Sequence, residues 1–142
     1  MNIENRRTFL KKTGTALAAG SLFKFNLSAA GANEKIVLAC LLHDIANGAL
    51  LRSDHGYWGA QMIEPYVDEE VSWAVRAHQA LRFFPDESVG YKYPEAYLKA
   101  FGADYNPEPY IVEAYKRARE HKWYMTSRLI CVNDIYSFDP NA

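Results

Sequence analysis

The sequence lacks three features that would each point to a particular class of protein. Its 16 lysines and arginines are balanced by 17 aspartates and glutamates, giving a formal net charge of −1. Nucleic-acid binding through a broad positive field is therefore not expected. No apolar stretch is long and continuous enough to span a membrane as a helix. No useful length of chain alternates apolar and polar side chains, which disfavours a sheet.

Cysteine is scarce as well. Cys40 and Cys131 stand far apart in apolar surroundings. We interpret them as buried thiols, with a disulfide as the alternative if the mature chain is exported to an oxidising compartment. The length and composition fit one globular domain. The chain has 142 residues, of which 49% are hydrophobic and 14% aromatic, which is enough to bury a core and unlike the composition of a disordered chain.

The first thirty residues differ from the rest of the chain. Paired arginines, Arg6 and Arg7, precede a weakly apolar stretch of Gly, Ala and Leu, which the small residues Ala30-Gly31-Ala32 close. This pattern resembles a twin-arginine export signal. We therefore predict a signal over residues 1–32, a helical domain over residues 33–142, and a periplasmic or otherwise exported protein that engages the export machinery. The alternative is a basic N-terminal helix on a cytoplasmic protein.

Apolar periodicity and helix-end residues predict an all-α fold of five or six helices. Ser53 or Asp54 is the expected cap of the second helix, and Asn106-Pro107 the expected start of another. The predicted helices cover about residues 35–45, 54–64, 68–80, 94–102, 107–120 and 123–136.

Histidine and aspartate side chains are predicted to converge on the interior of this bundle. The residues are His43, Asp44, His55, His78 and Asp134. An unpaired inward carboxylate would be costly, and imidazole together with carboxylate suits zinc, iron or manganese. Each residue taken singly is typical of something plainer, such as a core histidine bonded to a backbone carbonyl, or a helix cap. Their combination favours a metal site.

The order of these residues on a helical chain resembles the HD-domain metalloprotein superfamily, most clearly in the segments LLHDIANG, VSWAVRAHQALRF and VNDIYSFDP. The resemblance implies an HD-domain helical bundle with one or two metal ions, iron being preferred and manganese or zinc the alternatives. It implies that Asp44 bridges two metals and is catalytic. It further implies that His43 and Asp134 ligate one metal, and His55 and His78 the other.

Two departures from the family pattern bear on activity. That pattern begins with a further histidine on an earlier helix, but no histidine precedes His43, so the first helix of the family is expected to be missing. Ile45-Ala46-Asn47 stands where many phosphohydrolase members carry glycine and then histidine or lysine. His121 matches nothing in the pattern and is predicted to lie at the surface.

Three functions are consistent with the resemblance. The leading hypothesis is a metal-dependent phosphohydrolase that directs metal-activated water at a small phosphate ester or anhydride. The spacing of His55, His78 and Asp134 is similar to that of the phosphonate-oxidising and myo-inositol-oxygenase-like diiron branch. A diiron oxygenase that cleaves a C–P or C–C bond is therefore the second hypothesis. A degenerate domain that binds a ligand without turnover is the third.

Three cations are predicted to contact the anionic substrate. Arg76 and Arg82 lie near His78 in sequence, and Lys92 lies in the following loop. A guanidinium favours bidentate bonds to phosphoryl oxygens. The simpler interpretation of each residue is a solvated surface charge.

Overall fold

Helices account for nearly all the regular structure in residues 34–136, the part of the chain that the computed structural model describes. The α-helices are α1 Glu34–Leu42, α2 Ile45–Gly48, α3 His55–Ile63, α4 Glu69–Leu81, α5 Glu95–Phe101, α6 Pro109–Arg119 and α7 Tyr124–Tyr136. A 3-10 turn, Glu87–Val89, and an isolated bridge between Asp86 and Tyr91 lie between α4 and α5. Within these described residues there is no strand, so the predicted all-α class is confirmed. Apart from the single turn of α2, six helices agree with the predicted number.

The predicted export signal over residues 1–32 lies outside the described residues, so the signal and the exported location stay predictions. None of the helices from residue 34 to residue 136 combines the length and the apolar character that a membrane crossing requires.

The central element of the fold is α4. Asp68 precedes it in extended conformation, and Glu69 and Glu70 place negative charge in its first turn, where the helix dipole favours it. Apolar residues recur every three or four positions, so one face is buried against α1, α3 and α7, while α6 packs on another side. The main core cluster comprises Ala39, Ala60, Ile63, Val67, Val71, Ala74, Val75 and Ile130.

The close approach of α3 to α4 depends on Gly56. A Cβ atom at this position would lie 3.0 Å from the Arg76 carbonyl oxygen and 3.0 Å from the Gln79 Cβ. The Gly56 amide donates to the Gln79 side-chain oxygen at 2.9 Å, which adds a polar link across the same contact. Because His55 and His78 lie on these two helices, this contact controls the distance between them.

A buried arginine links α7 to the end of α4. Arg128 is fully buried, and its Nη1 donates to the carbonyl oxygens of Leu81 and Phe84, each at 3.0 Å. Carbonyl groups at a helix end lack partners within the helix, so this side chain supplies them from a neighbouring element. Asp86 offsets the charge, with its Oδ2 3.6 Å from Arg128 Nε and hydrogen-bonded by the Tyr124 hydroxyl.

Several predicted helix ends are wrong by a few residues, for identifiable reasons. The first helix ends at Leu42 rather than Ile45, and a turn at His43 and Asp44 separates it from α2. The helix predicted to begin after Asn106 begins at Pro109, because a proline fits the first turn and holds the preceding residue extended. Asp54 does precede α3, but its φ of 50° is left-handed and its side chain makes no capping bond.

Gly56→Ala should reduce the free energy of unfolding by about 1–3 kcal/mol, because the added methyl group has no space between α3 and α4. Gly48→Ala is the matched control, since a Cβ there meets nothing within 4 Å. Urea unfolding followed by circular dichroism measures both. Equal stability of the two variants would show that the close helix contact is not required.

Asp86→Asn should destabilise the fold by about 3 kcal/mol near neutral pH, because buried Arg128 would lose the carboxylate beside it. Burial alone would raise the pKa of Asp86, but hydrogen bonds from Ser88 and Tyr124 and the charge of Arg128 hold it below the ordinary value of 3.8. A lowered folded-state pKa stabilises the protein above the ordinary pKa, and this contribution is lost as the pH falls.

The stability difference between wild type and Asp86→Asn should therefore shrink as the pH falls below about 4. Glu87→Gln, which changes an exposed neighbour, is the control and should differ little from wild type. A stability difference that stays constant over this range would contradict the assignment of a stabilising carboxylate to Asp86.

Candidate metal centre

The turn after α1 supplies the first two polar groups of the centre. His43 Nδ1 lies 2.7 Å from the Cys40 carbonyl oxygen, one of the carbonyl groups that the end of α1 leaves without a helical partner. Asp44 follows it with a half-exposed side chain. Its Oδ2 lies 3.7 Å from His43 Nε2, and its Oδ1 lies 3.5 Å from His55 Nε2.

The next two histidines come from the packed pair of helices α3 and α4. His55 opens α3 and His78 lies on the buried face of α4, and both side chains are buried. His55 Nδ1 faces the Arg52 carbonyl oxygen at 3.3 Å, and His78 Nδ1 faces the Val75 carbonyl oxygen at 2.5 Å. The two Nε2 atoms lie 3.2 Å apart.

All three imidazoles therefore repeat one arrangement. Each places Nδ1 against the carbonyl oxygen three residues earlier. A carbonyl oxygen can only accept, so we assign the ring proton to Nδ1 and a lone pair to Nε2 in the neutral imidazole. Hydrogen bonds of this kind fix the orientation of metal-ligating histidines. Each histidine is therefore bonded to the backbone through Nδ1, as a core histidine would be. This bond is compatible with metal binding, because it leaves Nε2 free to act as the ligand.

Asp134 completes the centre from α7. Its Oδ1 lies 3.4 Å from His43 Nε2, which is buried and forms no well-aligned hydrogen bond with any described residue. The structure therefore brings together all five residues predicted from the sequence as metal ligands. His43, Asp44 and His78 form the tightest group, with one ligand atom from each within 4.8 Å of the others.

The central atoms of this group are all acceptors. Neutral imidazole Nε2 atoms and carboxylate oxygens offer lone pairs, and two such nitrogens 3.2 Å apart repel each other unless a proton or a cation lies between them. The chemistry of the donor set therefore fits a metal ion. Iron, manganese and zinc all accept nitrogen and oxygen ligands of this kind, so the ligands alone leave the identity of the metal open.

The pKa values of the three histidines follow their surroundings. Burial lowers the pKa of His78 well below 6.5, and the neighbouring His43 and His55 lower it further. Burial and the charge of Arg82 lower the pKa of His55. Burial would also lower the pKa of His43, but Asp134, the Cys40 carbonyl and Asp44 together raise it. The centre thus attracts positive charge, while two imidazoles stay in the neutral form that a metal requires.

Of the three cations predicted to bind substrate, Arg82 lies beside this centre. Its Nη1 is 3.4 Å from His55 Nε2, and its guanidinium lies 5.2 Å from the centre of the Tyr97 ring. Arg76 is exposed and lies over Tyr57, and Lys92 is exposed in the loop after Tyr91.

His121 lies outside the group of metal-ligand candidates, as predicted, but it is not a simple surface residue. Its ring stacks on Trp73 with ring centres 3.9 Å apart, and the side chain is only partly exposed. Its Nδ1 accepts a hydrogen bond from the Trp123 amide. The residue therefore has a packing role between α4 and the turn before α7.

Two tyrosines near the centre were not foreseen. Burial raises the pKa of Tyr97 to about 12, and the charges of Asp134 and Asp44 contribute to the rise. The Tyr93 hydroxyl is buried and has no hydrogen-bond partner among the described residues. Both tyrosines belong to an aromatic group around α5, including Phe83 and Phe101, that no helical periodicity would have placed beside the histidines.

Comparison with known families gives one finding. The profile of the family described as HD domain matches residues 15–95, which is more than half of the chain. The match begins within the segment predicted as an export signal and includes His43, Asp44, His55 and His78. Asp134 lies beyond its end. No curated protein and no solved structure matches the chain at a significant level.

Asp44→Ala and His78→Ala should each reduce metal affinity by at least about tenfold, because either change leaves too few ligands around the ion. His121→Gln is the matched control, since it changes a histidine outside the centre. Elemental mass spectrometry of each purified chain after dialysis against limiting metal measures the number and identity of bound ions. Unchanged metal content in a folded Asp44→Ala chain would contradict the assignment.

Proposed function

Because the chain belongs to the HD domain family, we propose that it is a metal-dependent phosphohydrolase that acts on a small phosphate ester or anhydride. The observation that supports this proposal is the acceptor-only centre around His43, Asp44 and His78, with the guanidinium of Arg82 beside it. A divalent metal ion held there supplies Lewis acidity and lowers the pKa of bound water to near neutrality.

The residues that would hold the ion divide into two groups. His43, Asp44 and His78 form the inner set. At its edges, His55 lies close to Asp44 and His78, and Asp134 lies close to His43. Iron remains the preferred metal, with manganese and zinc as alternatives. The neutral imidazoles of His55 and His78 are ready to ligate without first losing a proton.

Asp44 is the proposed catalytic carboxylate. It is the most solvent-exposed side chain of the inner set, so a water molecule and a substrate can reach it. Its carboxylate can accept a proton from the attacking water while the water oxygen forms a bond to phosphorus. The bond from phosphorus to the leaving oxygen then breaks, and that oxygen takes up a proton from solvent.

Arg82 is the proposed contact for the phosphoryl oxygens. The faces of Phe83 and Tyr97 hold its guanidinium, 4.9 Å and 5.2 Å from the ring centres. Its Nε is buried and has no hydrogen-bond partner among the described residues. A buried, unpaired donor beside a centre that would hold a metal ion favours a ligand with several acceptor oxygens, and a phosphoryl group has them.

A diiron oxygenase is the second candidate, supported by the two oxygens of Asp44 facing different histidines. Oδ1 lies near His55 and Oδ2 near His43, as expected of a carboxylate that bridges two ions. The guanidinium of Arg82 favours the hydrolase, because a second cation beside His55 would meet its charge at short range. Binding without turnover is the third candidate.

The metal-loaded chain should release phosphate from p-nitrophenyl phosphate or from pyrophosphate under strict anaerobiosis. Arg82→Gln should lower kcat/KM by about 10- to 100-fold, because charge-assisted bonds to the phosphoryl group are lost. Arg117→Gln, which removes an equal charge from the exposed surface of α6, should leave kcat/KM unchanged.

A requirement for dioxygen, with oxygen consumed in proportion to product, would replace the hydrolase by the oxygenase. If the metal-loaded chain binds inorganic phosphate but turns over no ester or anhydride, binding without turnover replaces both. Loss of activity in Arg82→Gln with unchanged metal content would assign the effect to substrate contact rather than to the metal centre.

A further inference from the structure

A concave site separate from the metal centre lies between α3, α4 and α6. It is a pocket of about 420 Å³, and none of its lining residues belongs to the metal centre. Asp54 and Gln79 line it, each next in sequence to a histidine of the centre. The pocket therefore uses other faces of the same two helices whose buried faces carry His55 and His78.

The walls of this pocket are mainly aromatic. Tyr57, Trp58 and Tyr110 line it and are 45%, 45% and 57% exposed. Side chains of this size usually bury more of their surface in a folded domain, and Trp is highly buried on average. Three large rings left open around one concavity form a surface on which a flat ring can stack.

Two charged groups line the pocket, Arg76 and Asp54, and only the carboxylate is held by hydrogen bonds. The guanidinium of Arg76 lies 5.2 Å from the centre of the Tyr57 ring and makes no hydrogen bond or ion pair with any described residue. The carboxylate of Asp54, in contrast, is held by the Tyr110 hydroxyl at 3.0 Å and by Gln79 Nε2 at 3.4 Å. An incoming ligand thus meets an unsatisfied cation.

We infer that this pocket binds a flat aromatic molecule that carries a negative charge. The ring would stack among Tyr57, Trp58 and Tyr110, and the anionic group would pair with Arg76. The volume lies at the lower end of the range for small-molecule sites, which suits one or two fused rings rather than a large cofactor. Arg76, a predicted anion contact from the sequence, thereby gains a role separate from the metal centre.

The geometry behind the pocket supports a preformed site. The close contact at Gly56 joins α3 to α4, and the hydrogen bond from its amide to Gln79 fixes one lining side chain. The third wall, α6, carries Ile111, which is buried against Ala80 and Phe83. A ligand therefore need not order the walls before it binds, which reduces the entropy lost on binding.

Isothermal titration calorimetry with 2-naphthoate tests the inference, with neutral 2-naphthol as the matched compound. Wild type should bind 2-naphthoate more tightly than 2-naphthol. Arg76→Gln should weaken 2-naphthoate about tenfold and leave 2-naphthol unchanged, because only the charged group loses its partner. Arg117→Gln, which removes a charge outside the pocket, should leave both affinities as in wild type.

Three further variants locate the binding site. Ala114→Trp should fill the pocket and abolish binding of both compounds, and Tyr57→Leu, which removes one stacking ring, should weaken both. Arg82→Gln should leave 2-naphthoate affinity unchanged. The inference is overturned if Arg76→Gln binds 2-naphthoate like wild type. It is equally overturned if Arg82→Gln rather than Arg76→Gln loses the binding, since the anion would then occupy the metal centre.

Discussion

Mutual repulsion among acceptors is the constraint on which the centre of this molecule depends. Three imidazoles give their only ring proton to backbone carbonyls, and two carboxylates face the lone pairs that remain. The chain holds these groups close because they lie on or beside helices that pack together through the apolar core. A positive charge among these groups would offset their repulsion. The raised pKa of His43 has the same cause, because the neighbouring carboxylates stabilise a proton on its ring.

The position of α4 explains how the fold maintains this arrangement. Its buried face carries His78 among small and β-branched residues, and its end is held by Arg128 from α7. The same helix approaches α3 so closely that a glycine is required at the crossing. Movement of α4 would therefore change the metal centre, the pocket on the α3–α6 side and the buried ion pair together.

The fold class and the members of the centre were predictable from sequence because they depend on local signals. Apolar periodicity predicts that His78 lies on the inward face of its helix, as the structure shows. Other features depend on contacts between distant segments. No local signal shows that Asp54 is held by Tyr110, that α5 stands beside the centre through ring contacts, or that Arg76 and Arg82 face different sites.

The two cysteines have a consequence for where such a chain can function. Both are free, Cys131 is buried and Cys40 is half-buried, and burial is the main cause that raises the pKa of each thiol to about 12. Thiolate is the form that attacks disulfides and reacts with oxidants, and it is nearly absent at such values. Folding therefore slows disulfide exchange and oxidation at both cysteines, so neither thiol by itself restricts the domain to a reducing compartment.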